Sequence, residues 1–300
     1  MKTNRLISIA AVAIFALIGT VGKSQTTATT SGNDSPQVQT LTLDAFDEID
    51  NSTAVEIHFT QGKKQSVKVR QTGEWRLLAT VKDRTLRLTS DKNNTHNSAE
   101  IWITAPELKS LDNNSSLKID MLSLHGSELE IDNCGVMTVR CNDLNTTNLS
   151  IENSGNLKHE LKAKAGIVEI ENEGVIHELL TMECSNLTLE NEGLYQSDMS
   201  VTGKTLKIDN SGKFTGKMLL KADRLSIDNN GAGSQSIDFA GKELKLDNNG
   251  AVTVDLKVDC RKLDVSNQGV STITISGTAD STTLDSSGIN KIDSSKLNRL

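Results

Sequence analysis

A short pattern of apolar and polar residues recurs along most of the chain. Its unit is Leu-x-Ile-Asp-Asn-x-Gly, and after an initial spacing of 20 the glycine returns every 19 residues. The two apolar positions lie two residues apart, so both side chains point to the same side of an extended strand. An earlier copy ends at Ser115 in place of glycine. The other copies end at Gly135, Gly155, Gly174, Gly193, Gly212, Gly231, Gly250, Gly269 and Gly288.

This period predicts an all-β fold, a right-handed parallel β-helix (a solenoid) of 19-residue coils over residues 109–300. A helical repeat would need apolar positions three and four residues apart, and a leucine-rich repeat would need a longer leucine pattern. Each coil is expected to stack about 4.8 Å above the preceding one. The right-handed form is expected because crossovers between parallel strands are almost always right-handed.

Residues 41–108 show a different pattern, in which apolar and polar residues alternate in short separate runs. The alternation predicts β-strands around residues 55–59, 67–69, 86–88 and 101–103. Turns are expected at residues 62–63 and 91–94. We therefore expect an N-terminal β-strand region that caps the repeats.

Each unit places an asparagine two residues before its glycine. Asparagine tolerates a left-handed bend, and the glycine is expected to relax the next one. Stacked amides can also donate to and accept from the coils on either side, which predicts a structural ladder. An earlier copy contributes Asn113. The predicted ladder comprises Asn133, Asn153, Asn172, Asn191, Asn210, Asn229, Asn248 and Asn267.

The residue before this asparagine is acidic in nine of the ten copies, and Ser266 is the exception. Carboxylates about 4.8 Å apart repel one another. The column therefore predicts a solvated negative face or carboxylates that accept backbone N–H bonds, and bound divalent cations are the alternative. If Ca²⁺ binds, Asp209, Asp228 and Asp247 are the candidate ligands. No Asp-x-Asp-x-Asp-Gly loop is present, and no other cofactor is expected.

One cluster of titratable residues departs from the repeat. His159, Glu160, His177 and Glu178 fall on adjacent coils, and His159 should stack on Glu178. A metal or catalytic site would use His159, His177 and Glu178. The preferred interpretation is an exposed, solvated patch, since exposed histidines beside acids commonly have no further role.

Charge and the N-terminus restrict the environment of the protein. Lys2 and Arg5 precede an apolar run, and small residues follow it, which predicts a signal peptide over residues 1–24; an uncleaved anchor is the alternative. Residues 25–40 read as a flexible leader. The formal net charge is −7, which argues against nucleic acid as a partner. We expect export to the periplasm, the outer surface or the medium, with no transmembrane segment after signal removal.

Several motifs resemble a family of exported bacterial proteins described as putative auto-transporter adhesins with a head GIN domain, a domain of unknown biochemical function. The resemblance covers roughly residues 41–290, although this family often has Ser-Gly-Ser-Gly turns where this chain has Asp-Asn-x-Gly. It implies an all-β, β-helix-like fold in an exported protein, and it offers no catalytic residues. It is carried by the repeats and by Phe-Asp-Glu-Ile (46–49), Val-Glu-Ile (55–57), Gln-Gly (61–62), Val-Lys-Val (67–69), Leu-Arg-Leu (86–88), Ile-Trp-Ile (101–103) and Pro-Glu-Leu (106–108).

These observations favour a non-enzymatic adhesin or cell-surface binding module. Its partner would be a macromolecule, such as a glycan or a cell-surface protein. A polysaccharide lyase or hydrolase on the same fold is the first alternative, and a structural envelope protein is the second. The enzyme alternative would need a cluster of acidic residues on one coil, whereas here the acidic residues recur at the same position of nearly every coil.

Overall fold

The computed structural model describes residues 38–71, 75–91 and 99–299, and in these ranges the chain is built from β-strands. No helix able to cross a membrane occurs in the described ranges. The predicted signal peptide and most of the predicted leader lie outside them. The strands are β1 (Val38–Leu41), β2 (Glu48–Asn51), β3 (Ala54–Gln61), β4 (Ser66–Arg70), β5 (Leu77–Lys82), β6 (Thr85–Ser90), β7 (Ala99–Ala105), β8 (Ser110–Asn113), β9 (Ser116–Met121), β10 (Leu124–His125), β11 (Glu128–Asn133), β12 (Val136–Asn153), β13 (Asn156–Asn172), β14 (Val175–Asn191), β15 (Leu194–Asn210), β16 (Lys213–Asn229), β17 (Ala232–Asn248), β18 (Ala251–Asn267), β19 (Val270–Ser286) and β20 (Asn290–Arg299).

The repeats form a stack of parallel coils, which confirms the predicted solenoid. Each long strand from β12 to β19 makes one coil and pairs in parallel with the next, so that Asn153 aligns with Asn172 and Asn172 with Asn191. Alternate side chains point inward, and the two repeated apolar columns are buried along the stack. Burial of these columns supplies the main driving force for stacking.

The N-terminal end of the stack does not follow the order of the chain. β2 lies between β6 and β8, and β3 lies between β7 and β9, with all four pairs parallel. Residues 41–108 therefore continue the sheets of the later coils. β5 and β4 run antiparallel to β6 and β7, and they cover edges that would otherwise present free backbone groups.

Strand β5 is absent from the strands predicted above. It forms a hairpin with β6 through a two-residue turn at Asp83 and Arg84, whose φ angles are 51° and 68°. Two consecutive positive φ angles are the geometry of a type I′ hairpin turn. The turn predicted at residues 91–94 lies outside the described residues, except for Asp91.

The asparagines form a continuous chain of hydrogen bonds inside the stack. Asn153 Nδ2 donates to Asn172 Oδ1 at 2.7 Å and also to the backbone oxygens of Gly155 and Val175, each at 3.2 Å. The same amide-to-amide bond recurs between neighbouring coils as far as Asn267, where Nδ2 donates to Ser271 Oγ at 2.6 Å. Each side chain therefore joins its own turn to the next coil.

The repeated glycines serve a different purpose from the expected one. Positive φ angles in the described residues occur only at Asp83, Arg84, Gly216, Gly277 and Gly288. Of the repeated glycines, therefore, only Gly288, in the last copy, has a positive φ angle. A Cβ atom at Gly155, however, would lie 2.1 Å from the backbone oxygen of Gly135. Glycine is required because successive turns approach each other closely, and the expectation of a left-handed bend was wrong.

Removing one coil tests the register. Deletion of residues 213–231 joins Gly212 to Ala232 and presents the same pairing surface to β17, because Lys213 and Ala232 occupy equivalent positions. We expect a folded protein by circular dichroism and a cooperative thermal transition. Deletion of residues 213–222 breaks the register and is the matched control. Identical melts for the two deletions would contradict the coil as the repeating unit.

Asn210→Ala tests the ladder. This change leaves Asn191 Nδ2 and Asn229 Oδ1 without partners that now lie at 2.6 Å. Unfolding in urea should show a loss of about 1–3 kcal/mol, the usual cost of unpaired buried polar groups. Asn230→Ala, at an exposed neighbouring position, should change stability by less than about 0.5 kcal/mol. Equal effects of the two substitutions would contradict a buried ladder.

Candidate functional site

A run of polar and small residues interrupts one apolar column inside the solenoid. The column contains Ile57, Ile119 and Val139 before this run and Val254 and Ile273 after it. Its middle positions are His159, Glu178, Ser197, Gly216 and Gln235. These positions point inward because they alternate with outward-facing residues along each strand. The run is the clearest departure from the repeat in the interior.

Glu178 is the centre of this buried cluster. Tyr195 Oη donates to Glu178 Oε2 and Ser197 Oγ donates to Glu178 Oε1, both at 2.6 Å. His159 Nε2 lies 3.5 Å from Glu178 Oε2. Neither ring nitrogen of His159 has a hydrogen-bond partner among the described residues. The carboxylate is therefore well satisfied, whereas the imidazole is not.

Burial shifts the titration of the cluster strongly. It lowers the pKa of His159 from 6.5 to about 4, and it raises the pKa of Glu178 from 4.5 to about 7 although Ser197 and Tyr195 donate to the carboxylate. Burial, with the adjacent Glu178, also raises the pKa of Tyr195. Strongly shifted groups often mark functional sites when a substrate can reach them. The side chains of His159 and Glu178 are fully inaccessible to solvent, so this cluster cannot meet a substrate.

The expected solvated patch was therefore wrong for His159 and Glu178. The stacking of these two residues is present, but both follow the inward phase set by Leu157 and Ile176. His177 is exposed on the outer face. Glu160 is also exposed and lies 3.5 Å from Arg140. The four residues do not converge on one site.

The acidic column runs along the outer face as a partly neutralised row. Lys207 Nζ lies 2.5 Å from Asp209 Oδ2, and Lys245 contacts Asp247 in the same way. At the other end of the row, burial and neighbouring acids raise the pKa of Asp112 to about 6. Asp50 extends the row, since it aligns with Asp112 across β2 and β8. Calcium binding by Asp209, Asp228 and Asp247 stays a prediction.

A second outer cluster brings together residues from separate strands. Ligand atoms of Glu56, His58 and Asp120 lie within 4.8 Å of one another, as a metal site would require. Lys118 Nζ already lies 2.5 Å from Glu56 and 3.4 Å from Asp120. This arrangement is that of an ion-pair network, in which the lysine occupies the place of a cation.

Trp102 lies beside this network. It is the one tryptophan, tyrosine or phenylalanine in the described ranges that is not buried. Its ring stacks on His58 at 5.6 Å between ring centroids, and the Arg70 guanidinium lies 5.3 Å from the ring centroid. Tryptophan and arginine together are typical of protein-binding surfaces. Sequence reasoning missed this cluster, although the outward phase of Glu56 and His58 follows from the alternation in β3.

His159→Val tests the buried cluster. Val139 occupies the same column one coil earlier. Because the pKa of His159 falls from 6.5 to about 4 on folding, this residue binds more protons in the unfolded chain, and its contribution to stability is lost on acidification through this window. The raised pKa of Glu178 acts in the opposite direction, but Glu178 is present in both proteins and its contribution cancels in the comparison. The variant should gain up to roughly 3 kcal/mol over wild type at pH 4, from about 1.4 kcal/mol for each pH unit.

Urea unfolding at pH 7.5, 6, 5 and 4 measures this difference. His177→Val is the matched control, since His177 is exposed on the following coil, and it should leave the pH profile unchanged. A stability difference between His159→Val and wild type that does not vary with pH would contradict the buried neutral imidazole.

The family model described as "Putative auto-transporter adhesin, head GIN domain" matches residues 45–193 and 194–299. No curated protein is significantly similar to the chain in sequence.

Two solved structures align with most of the chain at low sequence identity. A putative adhesin from Bacteroides fragilis NCTC 9343 is 17% identical, with a TM-score of 0.43, over 87% of this chain and 97% of its own. A putative adhesin from Parabacteroides merdae ATCC 43184 is 12% identical, with a TM-score of 0.38, over 87% of this chain and 97% of its own. The two family matches together span most of the sequence, and the chain therefore belongs to the family described as "Putative auto-transporter adhesin, head GIN domain".

Proposed function

We propose that the protein is an exported, non-enzymatic module that binds a macromolecule at the cell surface through its outer faces. This proposal depends on one observation: the titratable groups with the most strongly shifted pKa values lie in the core, whereas the outer faces carry repeated charged residues. The most strongly shifted titratable groups, His159, Glu178 and Tyr195, are sealed in the core. The outer faces carry charges that repeat from coil to coil.

Catalysis would need a different distribution of groups. An acid and a base must have pKa values pushed apart by their environments, and both must reach the substrate. Successive carboxylates of the acidic column occupy equivalent positions on successive coils. The raised pKa values of Asp112 and Glu152 come from burial and from neighbouring acids, which supply no base. The cluster of Glu56, His58 and Asp120 breaks the repeat, but its acids are held by Lys118. The enzyme alternative is therefore best tested at that cluster.

A repetitive surface favours binding through many weak contacts. An exposed ion pair contributes about 0–1 kcal/mol, so a single coil would hold a ligand weakly. Several coils acting on one polymer add their contributions through effective concentration. Membership of an adhesin family and the signal peptide predicted for residues 1–24 both support export to a surface where such polymers occur.

The experiment is a screen of the purified protein against soluble polysaccharides, with separate detection of binding, new reducing ends and unsaturated sugars. We expect binding without either product, with or without Ca²⁺. Turnover that is lost in Glu56→Gln or Asp120→Asn, and retained in the exposed control Glu183→Gln, would contradict the proposal and favour a polysaccharide lyase or hydrolase. Protease treatment of intact cells, with detection of the released protein, tests surface exposure independently.

A further inference from the structure

One corner of the solenoid carries an excess of positive charge in an acidic protein. At the corner of β15 to β18, two consecutive residues are exposed, a leucine is buried, and the next residue points outward again. These twelve positions on four coils hold seven cationic and three anionic residues, whereas the whole chain has a formal net charge of −7. We call the cationic set the basic corner: Lys204, Lys207, Arg224, Lys242, Lys245, Arg261 and Lys262.

Part of the basic corner has no acidic partner. Four of the seven cations are paired. Lys242 Nζ lies 2.8 Å from Asp223 and Arg224 Nε lies 3.3 Å from Glu243. As described above, Lys207 and Lys245 contact Asp209 and Asp247 of the acidic column. Lys204, Arg261 and Lys262 make no ion pair with any of the residues that the structure describes. These three side chains lie at the two ends of the corner, on the first and fourth of its coils. Their charge is available to an external anion.

A groove follows the basic corner along the solenoid axis. It has a volume of about 420 Å³ and its exposed walls are mostly carbon. Leu206, Leu225 and Leu244 lie along its floor. Its rims are the two outward columns that flank these leucines, and both columns include basic-corner residues. The groove therefore combines apolar walls with one cation from each coil, namely Lys207, Arg224, Lys245 and Lys262. Lys204, Lys242 and Arg261 are exposed in the next column, beside the groove.

We propose that the basic corner binds a linear acidic polysaccharide laid along the solenoid axis. This inference rests on the proposed function and assigns it a surface and a ligand class. A polyuronate has one carboxylate on each sugar. Because neighbouring coils lie about 4.8 Å apart, successive carboxylates of the polymer can meet cations on successive coils. The C–H faces of the sugar rings suit the carbon walls of the groove.

The surroundings favour a polysaccharide over a nucleic acid. Binding of single strands without base pairing relies on aromatic side chains that stack on the bases. Tyr195, Phe214 and Phe239, the aromatic residues of the central coils, are fully buried. Trp102 lies in β7, in the N-terminal coils. The corner offers charge and carbon surface, without a stacking platform.

The test measures binding of the full-length protein to sodium alginate, polygalacturonate and neutral dextran in EDTA, which removes cation bridges. Polyuronates should bind and dextran should not. Affinity for polyuronate should fall by roughly tenfold or more between about 50 mM and 200 mM salt, as counterion release requires. Equal binding of dextran, or binding that salt does not weaken, would overturn the proposal.

Charge reversal locates the site. The triple variant Lys204→Glu, Arg261→Glu and Lys262→Glu should lose at least roughly tenfold in polyuronate affinity. The matched control is Lys158→Glu, Lys162→Glu and Lys217→Glu, since these three lysines are exposed and sit on other faces. The control makes the same change in net charge and should lose less than about twofold. Both triple variants must have the melting temperature of the wild type. If they do not, the same two sets of positions are changed to glutamine instead of glutamate.

The outcomes separate this inference from the proposed function. Three results would overturn the proposal that the basic corner binds polyuronate. They are an equal loss of affinity in the two triple variants, tighter binding of single-stranded or duplex DNA than of polyuronate, and loss of polyuronate binding in Trp102→Ala alone. Binding to intact cells without any binding to polyuronates would overturn it too, while the proposed function stands. Release of unsaturated sugars with groove binding intact would overturn only the non-enzymatic function.

Discussion

An asparagine side chain at the end of each coil donates to the asparagine oxygen of the next coil, and the rest of the solenoid depends on this contact. The same amide holds its own turn, since Asn153 Nδ2 also meets the backbone oxygen of Gly155. A slip of one residue would place a charged neighbour inside and leave these buried amides unpaired, which is costly. The ladder therefore fixes the register, and the register fixes which side chains face water.

The close stacking of turns has a second consequence. Because a Cβ atom at Gly174 would lie 2.1 Å from the oxygen of Gly155, the turns tolerate no side chain there. The exposed turn backbone is uniform, and variation is left to the positions between turns. The outer faces can therefore carry an acidic column and, on the coils of β15 to β18, the basic corner beside it without disturbing the core. Residues inside the solenoid can also vary between turns, and polar residues therefore occupy a few coils of the column that contains His159 and Glu178.

Much of the fold follows from the sequence because the repeat is nearly uninterrupted after Gly135. The strands of the coils, the asparagine positions and the stacking of His159 on Glu178 all follow from phase alone. Asn51 was missed, although Asn51 Nδ2 donates to Asn113 Oδ1 at 2.8 Å. The reason is topological, because β4 to β7 are inserted between two coils that are neighbours in space. Periodicity cannot reveal a pairing across 62 residues of non-repeating chain.

The candidate sites were harder to predict for a related reason. The burial of His159 could have been read from its alternation with Leu157 and Leu161, because all three share the inward phase. The clusters around Trp102 and the basic corner depend on which strands become neighbours in the folded stack. Trp102 meets His58 only because β3 pairs with β7. Charge excess at the corner is visible only after residues 19 apart are aligned as columns.

Hydrogen exchange at the turn amides tests the central claim, that the stacked turns are held as firmly as the strands and fix the register. Gly155 N donates to Asn133 O at 3.0 Å, and Gly174 N donates to Asn153 O at 3.1 Å. The account predicts that these amides exchange as slowly as the strand amides beside them, through the same opening of the whole stack. Exchange at Gly155 and Gly174 on the timescale of an exposed loop would contradict it.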